Sequence, residues 1–380
     1  MPIHAGTVAF FLVPVVWLMG LCWMRRARQT LAPESSTLWR DLVGWFPLGV
    51  LVAAVGLVIG TQVIGSGFAV LRIWFDAASF GLAPLLLLMG GLALREKAGF
   101  AAFFVLAAGA SAFGIAFYAT RVEPFRLEVT HHVIHSERLS PGVDASLLIA
   151  ILADLQTDQI GAFEAEVFRT IDELKPDLIL LPGDYLQLLD PDEFDDVQPA
   201  LIELFRSMDH APRLGIVAVD GDVDEAARSL RGTGALCLTD QTVQFPEDHL
   251  QIIGLSTPAS RRDLTPGVLA EIDAFEGLTI VCGHAPDHMN MVLEGRFDKE
   301  AVLVAGHTHG GQVSIPGFGP LITLSSIPRW LAAGTLRPWG KTTLLVSRGV
   351  GMERGHAPRI RFNCRPQLVV LELVGSAARG

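Results

Sequence analysis

The chain has 380 residues, of which 50% are hydrophobic and only 18% charged, and its mean hydropathy is +0.42. That excludes an ordinary soluble protein and places part of the chain in lipid. A formal charge of −11 argues against nucleic acid as a partner.

The apolar excess lies in the first third. Residues 8–24, 43–64, 73–94 and 100–118 are each close to the roughly 20 apolar residues that cross a bilayer. Four such segments in succession predict a transmembrane region over residues 1–123, followed by a soluble domain over 124–380. The first and third loops hold Arg25, Arg26, Arg28, Arg40, Arg95 and Lys97, whereas the second loop and the exit hold Arg72, Arg121 and Arg126. The excess of basic residues in the first set puts the soluble domain outside the cytoplasm. The first apolar run is not a cleavable signal peptide, because its arginines follow it. The four cysteines form no C-x-x-C pair, so a zinc knuckle or redox motif is not expected.

Beyond a His-bearing lead-in with a strand expected at 125–129, one pattern repeats. Continuous apolar runs at 146–153, 177–181, 214–219, 278–282 and 301–305 read as buried strands. The helical stripe of Phe163, Val167, Ile171 and Leu174 and a further helix at 197–208 fall between them. Strands at 343–347 and 367–373 complete the set. The five runs end, in order, at Asp154, Asp184, the Asp220–Asp224 acidic turn, His284, and His307 with His309. One carboxylate after a strand is an ordinary helix cap or turn former. Five polar ends in register are not, because ligands of open α/β sheets bind at the carboxyl ends of strands. Three converging carboxylates repel each other unless cations separate them. Two divalent ions sharing a ligand account best for the donors, and Mn, Fe or Zn suits imidazole and carboxylate together.

With Gly183-Asp184, Gly221-Asp222-Val223-Asp224, His284 before Pro286 and Gly306-His307-Thr308-His309-Gly310-Gly311-Gln312, the sequence resembles the calcineurin-like metallophosphoesterase superfamily. The last motif is similar to that of a bacterial membrane-associated branch. The resemblance covers residues 145–374 and implies an α/β/β/α two-sheet sandwich with two metals at the strand ends. It implies Asp154, Asp184 and His309 at the first metal, and Asp184, His284, His307 and Asp222 at the second. Asp184, Asp222 and His307 are the implied catalytic set. It also implies a plasma-membrane enzyme acting on a phosphomonoester, a phosphodiester or a lipid-linked pyrophosphate, with a phosphorylated small molecule or lipid head group as partner.

Two departures stand out. Gln156 takes the place of a family histidine ligand, and Asp158 is positioned by sequence to add an oxygen there. Val223 takes the place of the histidine that serves the leaving oxygen, with His288, His356 and Asp224 as replacement acids. These two changes keep open a different reading, a metal-binding pseudoenzyme that senses or tethers. Arg348 and Arg354 are expected to clamp substrate phosphate.

Overall fold

The computed structural model describes residues 67–95, 99–139 and 146–375. The first two expected spans, at 8–24 and 43–64, lie outside these residues. The chain divides into two compact units, one of residues 1–119 with 356–358, the other of 120–355 with 359–380. Among the described residues, Phe68–Leu92 and Ala102–Phe125 are two helices long and apolar enough to cross a membrane. Trp74, Phe80 and Phe103 stand exposed on them.

The second unit is built from strands β1 (Glu128–Ser136), β2 (Leu147–Ile151), β3 (Leu178–Leu181), β4 (Ile216–Val219) and β5 (Leu236–Leu238). There follow β6 (Gln241–Phe245), β7 (Leu250–Gly254), β8 (Leu278–Cys282), β9 (Ala301–Ala305), and a two-residue pair, β10 (Ser314–Ile315) and β11 (Gly319–Pro320). The set ends with β12 (Thr335–Trp339), β13 (Thr342–Val346) and β14 (Gln367–Gly375). One sheet has the order β1-β14-β2-β3-β4-β5 and the other β12-β13-β9-β8-β7-β6. The early strand expected at 125–129 in fact starts at Glu128 and runs to Ser136, in parallel register with β14. Residues 123–125 are instead a turn of 3-10 helix, with Pro124 near its start.

Period-2 alternation sorts the strand residues into three cores. Ile149, Ile151, Leu178, Leu180, Val217 and Val219 of the first sheet meet Ile252, Ile280, Val302 and Val304 of the second. The intervening Ala150, Ile179, Leu181 and Ala218 pack on Phe168 and Ile171 of helix α1 (Ala162–Leu174) and on Leu201 and Phe205 of helix α2 (Phe194–Arg206). The outer face of the second sheet, with Ile253, Val281, Leu303 and Leu344, covers Ile272 of helix α3 (Pro266–Ala274) and Leu331. The layers are therefore helix, sheet, sheet, helix. Strands buried on both faces are why the parallel runs read as continuously apolar.

Arg361 is fully buried. Its guanidinium donates to the carbonyls of Gly351 (2.6 and 2.9 Å), Arg348 (2.8 Å), Gly349 (3.1 Å) and Cys364 (3.2 Å). Arg361→Leu leaves these carbonyls without donors and should destabilise the domain by about 3–5 kcal/mol. The check is a fall in the midpoint of thermal or denaturant unfolding, where an unchanged midpoint would show that water takes over the bonds.

Candidate metal centre

The site is assembled at the carboxyl ends of β2, β3, β4, β8 and β9. The chain turns sharply there: Asp154 (φ 47°), Gln156 (φ 37°), Asp184 (φ 58°), His307 (φ 69°) and His309 (φ 49°) all adopt left-handed backbone. For non-glycine residues that conformation is held by surrounding structure. The bonds that hold it run from loop to loop. Asp154 N donates to Gly183 O (3.1 Å), Gln156 N to Asp184 O (2.9 Å) and Gly306 N to His284 O (3.1 Å).

Among the described residues, two groups of donors lie close enough to hold a cation: Asp154, Asp184 and His284, and Asp222, His284 and His307. Their protonation follows from their partners. His284 Nδ1 faces the carbonyl of Pro182 at 2.9 Å, which only accepts, so this nitrogen carries the hydrogen. The other nitrogen, Nε2, then faces Asp184 Oδ2 at 3.3 Å and Asp222 Oδ1 at 3.5 Å. Likewise His307 Nε2 donates to the carbonyl of Leu324 at 3.1 Å, turning the Nδ1 lone pair to Asp222 Oδ2 at 3.2 Å. Burial works against a charge on His284, but the charge and bonding of Asp184, then Asp222 and Asp154, raise it well above the usual imidazole range, so a proton bridges these groups where no cation stands among them. Backbone carbonyls fixing the tautomer from behind are the usual support of a ligating imidazole. Buried Nε2 of His284, Nδ1 of His309 and Oε1 of Gln156 also lack hydrogen-bond partners.

Charge tells the same story. Burial is the main cause that lifts the Asp154 carboxyl to about 7, with the neighbouring Asp184 and Asp222 adding to it. Partial burial works against ionisation of Asp222, yet bonding and charge from His284, then His307, hold its pKa below the ordinary value. His309 is pushed well below the usual imidazole range by burial and by Arg361, so it is neutral.

The expected residues are not all brought together. His309 lies outside both close groups, while His284 stands in each of them. Gln156 gives its Nε2 to Glu353 Oε2 (3.0 Å) and Gln187 Oε1 (3.2 Å), which leaves its oxygen unpaired. Asp158 is not an added oxygen at either group. It pairs with Arg359 and lies 3.8 Å from Arg354, because a cluster of guanidinium groups offers it charge nearer by. Arg354 and Arg348 are not free clamps. Arg354 is buried against Asp158, Glu164 and the Gln156 carbonyl, and Arg348 donates to Glu128 on β1 at 2.8 Å. Of the replacement acids, Asp224 is tied by Tyr185 N, Leu186 N and the Ser229 hydroxyl. His288 is sealed in the interior, where burial drops it to about 4. His356 is exposed.

Sequence reasoning missed Arg261. It follows β7 and the short helix Thr257–Ser260, its Nη2 donates to Asp222 Oδ2 at 2.7 Å, and it lies 3.4 Å from His307 Nε2. The only signal for it was the pair Arg261-Arg262 in an otherwise small-residue stretch.

No family model matches the sequence. The uncharacterized metallophosphoesterase YkuE of Bacillus subtilis is 30% identical over 286 residues, 71% of this chain and 94% of its own. The phosphodiesterase YaeI of Escherichia coli is 30% identical over 218 residues, 53% of this chain and 72% of its own. A dimetal phosphatase from Danio rerio aligns with 56% of this chain and 88% of its own, at 11% identity and a TM-score of 0.36. A mixed two-sheet α/β fold, Asp/His groups that fit two metal ions, and relatives so described define a metal-dependent phosphoric ester hydrolase. The chain belongs to the calcineurin-like metallophosphoesterase superfamily.

The carboxylates sit against bare backbone. A side-chain carbon on Gly221 would overlap Asp184 Oδ1, and one on Gly306 would fall 2.8 Å from Asp154 Oδ2. Gly221→Ala should therefore lower metal affinity about 10–100-fold. Titration calorimetry with Mn²⁺ checks this, and unchanged affinity would mean that Asp184 has room to move.

Proposed function

We propose that this chain is a membrane-anchored two-metal phosphoesterase whose soluble domain works on the extracytoplasmic side. In this reading Asp154, Asp184, Asp222, His284, His307 and His309 hold the ions, with the Gln156 oxygen as a weaker addition. The reading rests chiefly on the convergence of nitrogen and carboxylate oxygen atoms of His284, His307, Asp184 and Asp222 within 3.2–3.5 Å of one another. When bound, the ions neutralise phosphoryl charge and lower the pKa of water.

The residues of the chain do the rest. Asp184 Oδ1 is fixed by the amides of Asp222 (2.8 Å) and Val223 (3.2 Å). That leaves Oδ2 as the oxygen facing His284. Arg261 brings a fixed positive charge to the same edge and is placed to meet phosphoryl oxygens. Val223 has no proton to give, and Asp224 and His288 are committed to backbone partners. The chemistry is therefore matched to leaving groups that depart as stable anions, as from a pyrophosphate or an activated ester, in preference to alkyl phosphomonoesters.

Hydrolysis of an activated aryl phosphodiester by the full chain with Mn²⁺ tests the reading. Asp184→Asn should abolish turnover and reduce bound metal, measured by elemental analysis. Equal turnover in mutant and wild type would overturn it. Arg261→Ala should lower kcat/KM about 10²-fold while bound metal stays at the wild-type level. Loss of metal instead would make Arg261 a charge partner of Asp222 alone.

A further inference from the structure

Among the described residues of the second unit, eleven large apolar side chains are exposed. Four are scattered (Phe125, Val133, Leu189 and Leu236), and the other seven lie between Ile315 and Trp339. Exposed apolar side chains are ordinary singly, but such a concentration marks a contact surface. The stretch is also tied to the histidine loop at three points. The Leu324 carbonyl accepts from His307 Nε2 (3.1 Å), and the Thr308 hydroxyl donates to the Ala332 carbonyl (2.8 Å). Gly311 packs directly on Pro320 and on the Ile322 carbonyl.

Its outer surface has a recognisable chemistry. Trp330 and Trp339 stack with ring centres 6.1 Å apart and planes 17° from parallel. The Arg329 guanidinium lies 4.5 Å over the Phe318 ring. Leu324 holds left-handed backbone (φ 51°) and is about half exposed. Tryptophan and arginine among uncovered aliphatic side chains make a surface suited to a lipid interface, where apolar bodies enter the acyl region and cations meet phosphate.

We propose that the rim formed by Phe318, Leu321, Ile322, Leu324 and the Trp330–Trp339 stack takes the hydrocarbon part of a lipid whose phosphoester group lies at the carboxylate and imidazole cluster. This names the substrate class and rests on the phosphoesterase reading above. Three observations select a lipid as the occupant. The rim is continuous with the site through Leu324 and His307. Cationic Arg329 and Arg261 complement an anionic head group. Two helices of membrane-crossing length and apolarity belong to the same chain.

Calorimetry of the Mn²⁺-loaded full chain in lipid nanodiscs, with ethyl, butyl and hexyl phosphate as probes and empty nanodiscs as the baseline, tests this. Each added methylene should tighten binding about 2–4-fold, so hexyl phosphate should bind at least ~10-fold more tightly than ethyl phosphate. Phe318→Ser and Trp330→Ser, both exposed and therefore safe for folding, should erase that gain and leave ethyl phosphate unaffected. Equal affinity for all three probes, or a gain that survives in both variants, overturns the proposal, the second outcome placing the chain in the bilayer or on another protein surface. If no probe binds at all, the phosphoesterase reading falls with it. Binding of ethyl phosphate without a chain-length gain overturns the lipid rim alone.

Discussion

Asp154, Asp184 and Asp222 are carboxylates that the ends of three neighbouring strands drive together, two of them fully buried. Their mutual repulsion and lost hydration would cost several kcal/mol per charge if nothing balanced them. The surrounding structure answers that constraint. Backbone amides of His307, Asp222 and Val223 point at the carboxylate oxygens. Glycine at 221 and 306 lets bare backbone come that close. Carbonyls of Pro182 and Leu324 hold the imidazoles in the tautomers that accept a cation.

The negative charge of Asp222 is matched by Arg261 at 2.7 Å. Val223 contributes only its amide, to Asp184. Asp222 and Val223 lie side by side. With a fixed cation here and no proton donor at 223, both the charge of a substrate and the basicity of its leaving group bear on this site.

Much of the second unit was legible because its parallel strands are buried on both faces. The apolar runs ending at Asp154, Asp184, His284 and His307 match β2, β3, β8 and β9 to within a residue or two. The strand β5 escaped notice because it has only three residues, and β6 and β7 because their sequences carry Gln241, Gln244 and Gln251. Gln251 is buried only because its amide is satisfied by Thr279 and the Glu271 carbonyl, which no local pattern announces. Arginines misled for a similar reason. Arg348, Arg354 and Arg261 look alike in sequence, and what separates them is Glu128, 220 positions from Arg348, against Asp222, 39 positions from Arg261. Pairing over such distances is a property of topology.

The placement of β14 has a consequence for biosynthesis. This strand lies between β1 and β2, parallel to the first and antiparallel to the second. The ribosome thus finishes the middle of the first sheet after its flanks, and Gln367–Gly375 must be threaded between strands made more than 200 residues earlier. Contacts of such sequence separation form slowly. Until they form, β1 and β2 present open edges that invite association with other chains. Arg361 and the late loops sit just ahead of that strand, so the cluster of acids acquires its final surroundings only once the chain has been made as far as β14. Until the late loops exist, Asp154 lacks the bond that Gly351 N makes to its carbonyl (2.7 Å), one of those that set its turn.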